Sequence, residues 1–362
     1  MKVAVLGAGN GGCATAVDMA LRGVDVTLCS AYCPEHFKGI IKMGGIEYSG
    51  IFGEGFVKIK AINSIKDAVE PADIIVIATP STVHETYASL LAPYLQKKHR
   101  ILLNGCNTGS ALHIANILKK SGVHESIVCE TDILRYICRL QSPTHIKIYY
   151  QINNLLFASF PAKYNDELYE NFKELYPGIV LVENVLVTSL SNLNAIIHPA
   201  GVILNAGWIE FTKGNFFFYS HGITNAVART IEQIDKERLA IMEKMDLSQI
   251  GILEHLQRIG FLHTAKSSVY EAIQASEPVK SIKSPTELNH RYLREDVGYG
   301  LVPMASIARE ISVSTPVIES LINLACILNQ VNYWSIGLTA DKFGIKSFNV
   351  EKLRRFLLEG MP

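Results

Sequence analysis

One histidine stands out by the company it keeps. His198 sits in Ser191-Asn192-Leu193-Asn194-Ala195-Ile196-Ile197-His198-Pro199-Ala200-Gly201, within an apolar and nearly uncharged stretch that runs from Val187 to Leu204. Such a residue is either a core histidine satisfied by a carbonyl or a general acid/base in an interdomain cleft, since its ordinary pKa lies near working pH. Asn194 falls four residues earlier on the same helical face, where its amide can orient a polar group of a substrate. Pro199 loosens the helix at this point and frees a carbonyl. The second polar concentration is Asn289-His290-Arg291-Tyr292-Leu293-Arg294-Glu295-Asp296-Val297-Gly298-Tyr299-Gly300. Read as a solvated loop it holds local ion pairs. Read as part of a site, an acid here fixes one tautomer of His198 and an arginine binds a carboxylate through its fork.

A different kind of site is announced at the N-terminus. Lys2 to Leu6 is a short apolar, β-branched run, as in a strand buried on both faces. Gly7-Ala8-Gly9-Asn10-Gly11-Gly12 follows, and helical character resumes through Leu21. This G-x-G-x-x-G between strand and helix predicts a dinucleotide site on Gly7, Gly9, Asn10, Gly11 and Gly12, with the helix N-terminus facing the phosphates. Further strands are expected at Val24 to Cys29, Ala72 to Ala78, Ile101 to Leu103 and Ser126 to Cys129. Their carboxyl ends carry small polar residues: Ser30, then Thr79 and Pro80, as cofactor contacts, then Asn107 and Thr131 as substrate contacts. No acid closes the second strand, so the sequence leaves NADH and NADPH both open.

The remaining chain divides into two expected domains, 1–183 and 184–362. The first is a doubly wound Rossmann sheet, with a hairpin at Gly44 to Lys60 and antiparallel strands over Ile146 to Phe160 closing the sheet. The second is helical almost throughout, with helices over Val187 to Leu204, Thr224 to Met245, Ser268 to Lys283, Pro303 to Ile311 and Pro316 to Gln330. The aromatic run Phe216 to Tyr219 reads as core, with Tyr219 and His221 as candidates for the substrate pocket.

Composition narrows the class. Lysine plus arginine and aspartate plus glutamate are 34 each in 362 residues, which gives no electrostatic case for nucleic acid or an anionic membrane surface. No membrane span or signal peptide is read. The seven cysteines are odd in number and scattered, with Cys29 and Cys33 four apart and no matching cluster downstream. They predict reduced packing residues, no metal and a cytoplasmic setting. A homodimer is compatible with all of this.

Three motifs carry a resemblance to the octopine/opine dehydrogenase family, running from Met1 to about Gly360. They are GAGNGG at Gly7 to Gly12, HPAG at His198 to Gly201 followed by Gly207-Trp208, and RYLREDVGYGLVP from Arg291 to Pro303. The ending Gly337-Leu338-Thr339 with Phe343-Gly344-Ile345 is similar too. The resemblance implies a Rossmann domain followed by an all-helical domain. It further implies NAD(P)H-dependent reductive condensation of an amino acid with a 2-oxo acid, typically pyruvate, through an imine reduced by hydride. It makes His198 the acid/base, paired with Asp296, and puts Arg291 in the substrate site. One departure stands out: Arg135 replaces a family proline in Glu130-Thr131-Asp132-Ile133-Leu134-Arg135-Tyr136, and is read as a surface residue. Two other readings compete with it: a glycerol-3-phosphate or ketopantoate type of reductase, whose catalytic lysine Val187 to Trp208 lacks, and a dinucleotide sensor without chemistry.

Overall fold

A computed structural model describes residues 1–32 and 34–361. Cys33, one half of the Cys29/Cys33 spacing, lies outside the described residues. The chain folds as two compact units. The first comprises 1–106 and 110–185, and the second comprises 107–109 and 186–362.

The first unit is built on an eight-stranded sheet. Its strands are β1 (Lys2–Leu6), β2 (Asp25–Cys29), β5 (Lys60–Ile62), β6 (Ile74–Ile77), β7 (Arg100–Leu103), β8 (Val128–Thr131), β11 (Leu155–Phe160) and β12 (Ile179–Leu181). The order is β12-β11-β8-β7-β6-β1-β2-β5. Strands β5 through β8 run parallel with β1 and β2, whereas β11 is antiparallel to β8. Helices α1 (Asn10–Leu21), α2 (Glu35–Met43), α3 (Ile65–Val69), α4 (His84–Leu91), α5 (Ser110–Lys120) and α6 (Asn165–Leu175) connect them. Strands β1, β6 and β7 are buried almost throughout, which explains why they read as uninterrupted apolar runs.

The expectation that Ile146 to Phe160 closes this sheet holds only for β11. Strands β3 (Gly45–Gly50), β4 (Gly55–Lys58), β9 (Tyr136–Ser142) and β10 (His145–Gln151) instead form a separate sheet in the order β4-β3-β10-β9. The reason lies in their faces. β11 is buried at every position, as a strand covered on both sides must be, whereas β9 and β10 alternate between buried and solvent-facing residues.

Arg135 is a second correction. It is not at the surface: only 2 % of it is exposed, its guanidinium lies 5.6 Å from the Tyr176 ring, and Nε and Nη1 have no hydrogen-bond partner. Backbone bonds turn it inward. The Arg135 carbonyl accepts from Ile152 N–H at 2.8 Å, and Asp132 Oδ1 accepts from Leu156 N–H at 3.0 Å, so 132–135 is bound to β11 and its approach. Nearby, the buried Asp18 carboxylate accepts from the Tyr136 hydroxyl at 2.6 Å and pairs with Arg22 at 2.7 Å.

The second unit is helical. It contains α7 (Val185–Leu190), α8 (Asn194–Ile203), α9 (Ala206–Thr212), α10 (Asn225–Lys244), α11 (Ile252–Arg258), α12 (Val269–Ala275), α13 (Arg291–Arg294), a π-helical turn at Val297–Leu301, α14 (Val302–Glu310) and α15 (Pro316–Asn329), then three shorter segments to Glu359. The helix expected over Val187 to Leu204 is broken at 191–193. There Asn192 Oδ1 accepts from Asn194 N–H at 2.9 Å, a local bond that competes with helix continuation. The stretch 185–203 is apolar and long enough to cross a membrane, yet 94 % of its apolar window is buried in the protein. The helix expected over Ser268 to Lys283 stops at Ala275, three residues before Pro278, which disfavours helical backbone at its predecessor. Among the described residues six cysteines carry no disulfide, and five of them are buried. Burial pushes the Cys13 thiol up to about 12, so it stays protonated.

Arg135 yields a stability prediction. A buried cation with unpartnered donors is costly, and replacing such groups with apolar side chains is often neutral or stabilising by about 1–4 kcal/mol. Arg135→Met therefore leaves the thermal midpoint unchanged or raises it. A lowered midpoint contradicts this account of the residue.

Candidate active site

His198 lies on α8 and is 5 % exposed. Its Nδ1 is 2.7 Å from Asp296 Oδ2, and its Nε2 is 2.8 Å from the Tyr219 hydroxyl. Asp296 is 1 % exposed and immediately precedes the π-helical turn. An ionised Asp296 can only accept, so in the neutral ring this pairing places the proton on Nδ1 and leaves the Nε2 lone pair facing Tyr219.

Local packing explains how three separate segments converge. The helix α8 runs through Pro199, whose missing N–H removes one bond of the ladder. Gly201, one turn beyond His198, admits the ring of Phe218: a Cβ at Gly201 would stand 2.5 Å from Phe218 Cζ. Phe218 is held by a short antiparallel pairing, with its N–H donated to Ile282 O at 2.8 Å and Ser284 N–H donated to Phe216 O at 2.9 Å. Tyr219 is thereby delivered to the imidazole. Gly300 does the same for the π-helical turn, since a Cβ there would lie 2.5 Å from Ala195 Cβ on α8. That close approach brings in Asp296.

Tyr292, on α13, is in the sequence only one member of the Arg291 to Pro303 motif. In the structure its ring stacks on His198 with centroids 3.7 Å apart and planes 15° apart. It also hydrogen-bonds to the Tyr219 side chain. Nothing in helical spacing announces this stack, because residues 198 and 292 meet only through the fold. Burial pushes the Tyr219 hydroxyl well above its ordinary range, assisted by Tyr292 and Asp296 and opposed by Arg291.

The other expected substrate residues are placed as follows. Arg291, at the start of α13, has a side chain 58 % exposed and pairs with Glu295 at 3.2 Å. Glu295 Oε1 accepts from Asn107 Nδ2 at 3.3 Å, and Asn107 Oδ1 accepts from Asn192 Nδ2 at 3.2 Å. Asn107 thus belongs with the helical unit despite following β7 in sequence. Asn194 is half-buried, one turn before His198. Thr131 ends β8 in the first unit, where its hydroxyl accepts from Gly105 N–H at 3.0 Å and donates to Ile133 O at 3.2 Å. His221 is exposed, and its Nδ1 accepts from Phe217 N–H at 3.2 Å.

In the first unit the glycine-rich turn has the form a dinucleotide requires. Gly7 adopts φ +107°, and a Cβ there would lie 2.6 Å from Thr79 Cγ2. A Cβ at Gly12 would lie 1.7 Å from Gly7 O, so helix and turn are in contact. At Gly9 nothing stands within 4 Å of the same point, which leaves a hollow at the N-terminus of α1, where no side chain caps the free N–H groups. The Thr79 hydroxyl oxygen, beside Gly7, is buried without a partner. Asn10 is engaged elsewhere, its Oδ1 accepting from Leu140 N–H at 2.8 Å. Ser30 is buried and bonded to the Tyr87 hydroxyl, and Pro80 opens a 3₁₀ turn at 81–83. Among the described residues no group of three or more His, Cys, Asp or Glu could hold a metal.

Comparison with known proteins agrees with this architecture. Residues 181–329 match the family model for the NAD/NADP octopine/nopaline dehydrogenase α-helical domain, and residues 3–131 match that for ketopantoate reductase PanE/ApbA. The chain is 34 % identical to opine dehydrogenase of Arthrobacter sp. (strain 1C) over 97 % of each sequence. It is 25 % identical to the protein ocs of Agrobacterium tumefaciens (strain Ach5), over 97 % of this chain and 96 % of that one. A solved structure of octopine dehydrogenase with NADH and pyruvate shares the fold, with a TM-score of 0.79 at 18 % identity, covering 100 % of this chain and 98 % of that chain. The Rossmann sheet and helical unit expected from the sequence are thus both present, and the chain belongs to the opine dehydrogenase family of NAD(P)-dependent oxidoreductases.

Proposed function

We propose that this chain condenses the amine of an amino acid with a 2-oxo acid, pyruvate first among them, and reduces the resulting imine. The observation that carries the reading is the buried His198–Asp296 pair in the helical unit, in a chain whose relatives are opine dehydrogenases. The octopine dehydrogenase structure that shares this fold holds NADH and pyruvate. The match of residues 3–131 to ketopantoate reductases concerns the nucleotide-binding half alone. The helical half has His198 and no lysine between Val187 and Trp208, which speaks against the ketopantoate and glycerol-3-phosphate type. A sensor has no need of a buried acid/base pair.

In this reading the Rossmann unit, 1–183 with its glycine turn, Ser30, Thr79 and Pro80, holds NAD(P)H, which supplies the hydride when bound. The helical unit, 184–362, supplies proton transfer. His198 takes the proton that the substrate ammonium must lose before nitrogen can attack the oxo carbon, and Asp296 stabilises the imidazolium so formed. The same proton returns to the departing hydroxyl, which leaves as water. Arg291 offers a fork to a substrate carboxylate, held in place by Glu295. Asn194, Asn107, Tyr219 and Thr131 are the further substrate contacts of this reading. The scattered and mostly buried cysteines favour a reducing, cytoplasmic setting.

Oxidation of NADH or NADPH followed at 340 nm tests the substrates directly. The reading requires an amino acid and an oxo acid together. Oxidation with the oxo acid alone would make the chain a 2-hydroxy-acid dehydrogenase instead.

Two sets of substitutions separate the roles. His198→Ala should lower kcat by roughly 100- to 10,000-fold, the usual worth of a positioned acid/base, with NAD(P)H affinity retained. Asp296→Asn should lower kcat as well, again with cofactor binding intact, and wild-type turnover in either variant removes that residue from the mechanism. In the glycine turn, Gly9→Ala meets empty space, so it should fold with an unchanged midpoint yet bind NAD(P)H more weakly. Gly12→Ala drives a methyl into the Gly7 carbonyl and should destabilise the protein itself. Equal effects of the two on the melting midpoint would contradict this division.

A further inference from the structure

The surroundings of His198 carry one inference, which rests on its reading as the acid/base. Both ring nitrogens are taken within the helical unit: Nδ1 by Asp296 at 2.7 Å and Nε2 by the Tyr219 hydroxyl at 2.8 Å. A proton that reaches or leaves Nε2 must therefore cross the Tyr219 oxygen, or Tyr219 must first move away. Its environment opposes movement. Phe218, its neighbour, is wedged against Gly201 and bonded to Ile282 O. Tyr219 is itself buried and hydrogen-bonded to Tyr292, whose ring covers the imidazole face. Burial keeps the phenol protonated, and a phenol can accept a proton on the same oxygen from which it donates one.

We propose that Tyr219 is a proton relay of the condensation, its hydroxyl passing protons between His198 Nε2 and the reacting nitrogen and oxygen of the substrates. The balance is complete. The substrate ammonium gives one proton to the Tyr219 oxygen as the Tyr219 proton moves to His198 Nε2. The amine lone pair then forms the C–N bond, the carbonyl π electrons move to oxygen, and one N–H proton shifts to that oxygen. The C–O bond breaks as the hydroxyl takes back the relayed proton and departs as water, and the nitrogen lone pair closes the iminium. The hydride that bound NAD(P)H would supply reduces the iminium carbon, and the C=N π electrons return to nitrogen. His198, Asp296 and Tyr219 end as they began.

The test compares the full-length wild type with Tyr219→Phe and His198→Ala. In Tyr219→Phe kcat should fall about 100-fold, within the span of a lost acid/base step, well beyond any rise in the KM for the amino acid, while the NAD(P)H affinity measured by fluorescence changes little. Single-turnover rates of the wild type in H₂O/D₂O mixtures should follow a bowed dependence on deuterium fraction, because more than one proton is in flight. A straight dependence in the wild type overturns the relay whether or not the variant folds. Tyr219→Phe at wild-type or higher kcat also overturns it, showing that the tyrosine merely covers Nε2. An effect confined to KM overturns it as well, making Tyr219 a substrate contact only. If His198→Ala is also fully active the acid/base reading fails with it, whereas loss in His198→Ala alone removes only the relay.

Discussion

The hydrogen bond between Asp296 and His198 is the constraint around which the helical unit is arranged. Both side chains are almost wholly withdrawn from water, and a carboxylate so placed needs a partner that returns what hydration gave it. A charge-assisted bond of 2.7 Å does so, and removing one member of such a pair typically costs about 3–5 kcal/mol. The bond has a directional consequence as well. In the neutral ring an ionised Asp296 commits the imidazole proton to Nδ1 and leaves the lone pair of Nε2 toward Tyr219. The glycines that flank the pair serve it, Gly201 by admitting Phe218 and Gly300 by letting the π-helical turn touch α8.

The two units differ in the groups they offer. The first offers a hollow at Gly9, free N–H groups at the start of α1 and an unpartnered Thr79 hydroxyl, all of which suit phosphates and neutral hydroxyls rather than proton transfer. The second holds the His198–Asp296 pair together with Tyr219, Tyr292 and even Asn107, so the groups to which we assign proton transfer all lie within it. The three residues 107–109 explain how a loop after β7 joins that unit. Asn107 bonds to Asn192 and Glu295, and Gly109 N–H donates to Ser189 Oγ at 3.0 Å.

What the sequence disclosed followed the range of the interaction concerned. Strand β1 and the turn that follows it are local, and runs of β-branched residues ending in glycines announce both. The histidine in an apolar run and the polar stretch 289–300 stood out by composition, although 98 residues separate His198 from Asp296. The stacking of Tyr292 and the inward turn of Arg135 were hidden because each depends on a long-range contact. The surface reading of Arg135 failed for a physical reason: charge predicts exposure on average, and here backbone bonds from Ile152 and Leu156 override it. The placement of β10 failed likewise, since β-rich composition does not say which sheet a strand joins, whereas its alternating faces do.

The tautomer of His198 tests this account most directly. A long-range ¹⁵N–¹H correlation spectrum of protein labelled in its eleven histidines, with His198 assigned by its loss in His198→Gln, reads which ring nitrogen carries the proton at neutral pH. The account predicts a protonated Nδ1 and a bare, hydrogen-bond-accepting Nε2. A proton found on Nε2 with Nδ1 bare would contradict it, because Asp296 would then not be holding the ring and Tyr219 could not donate to it.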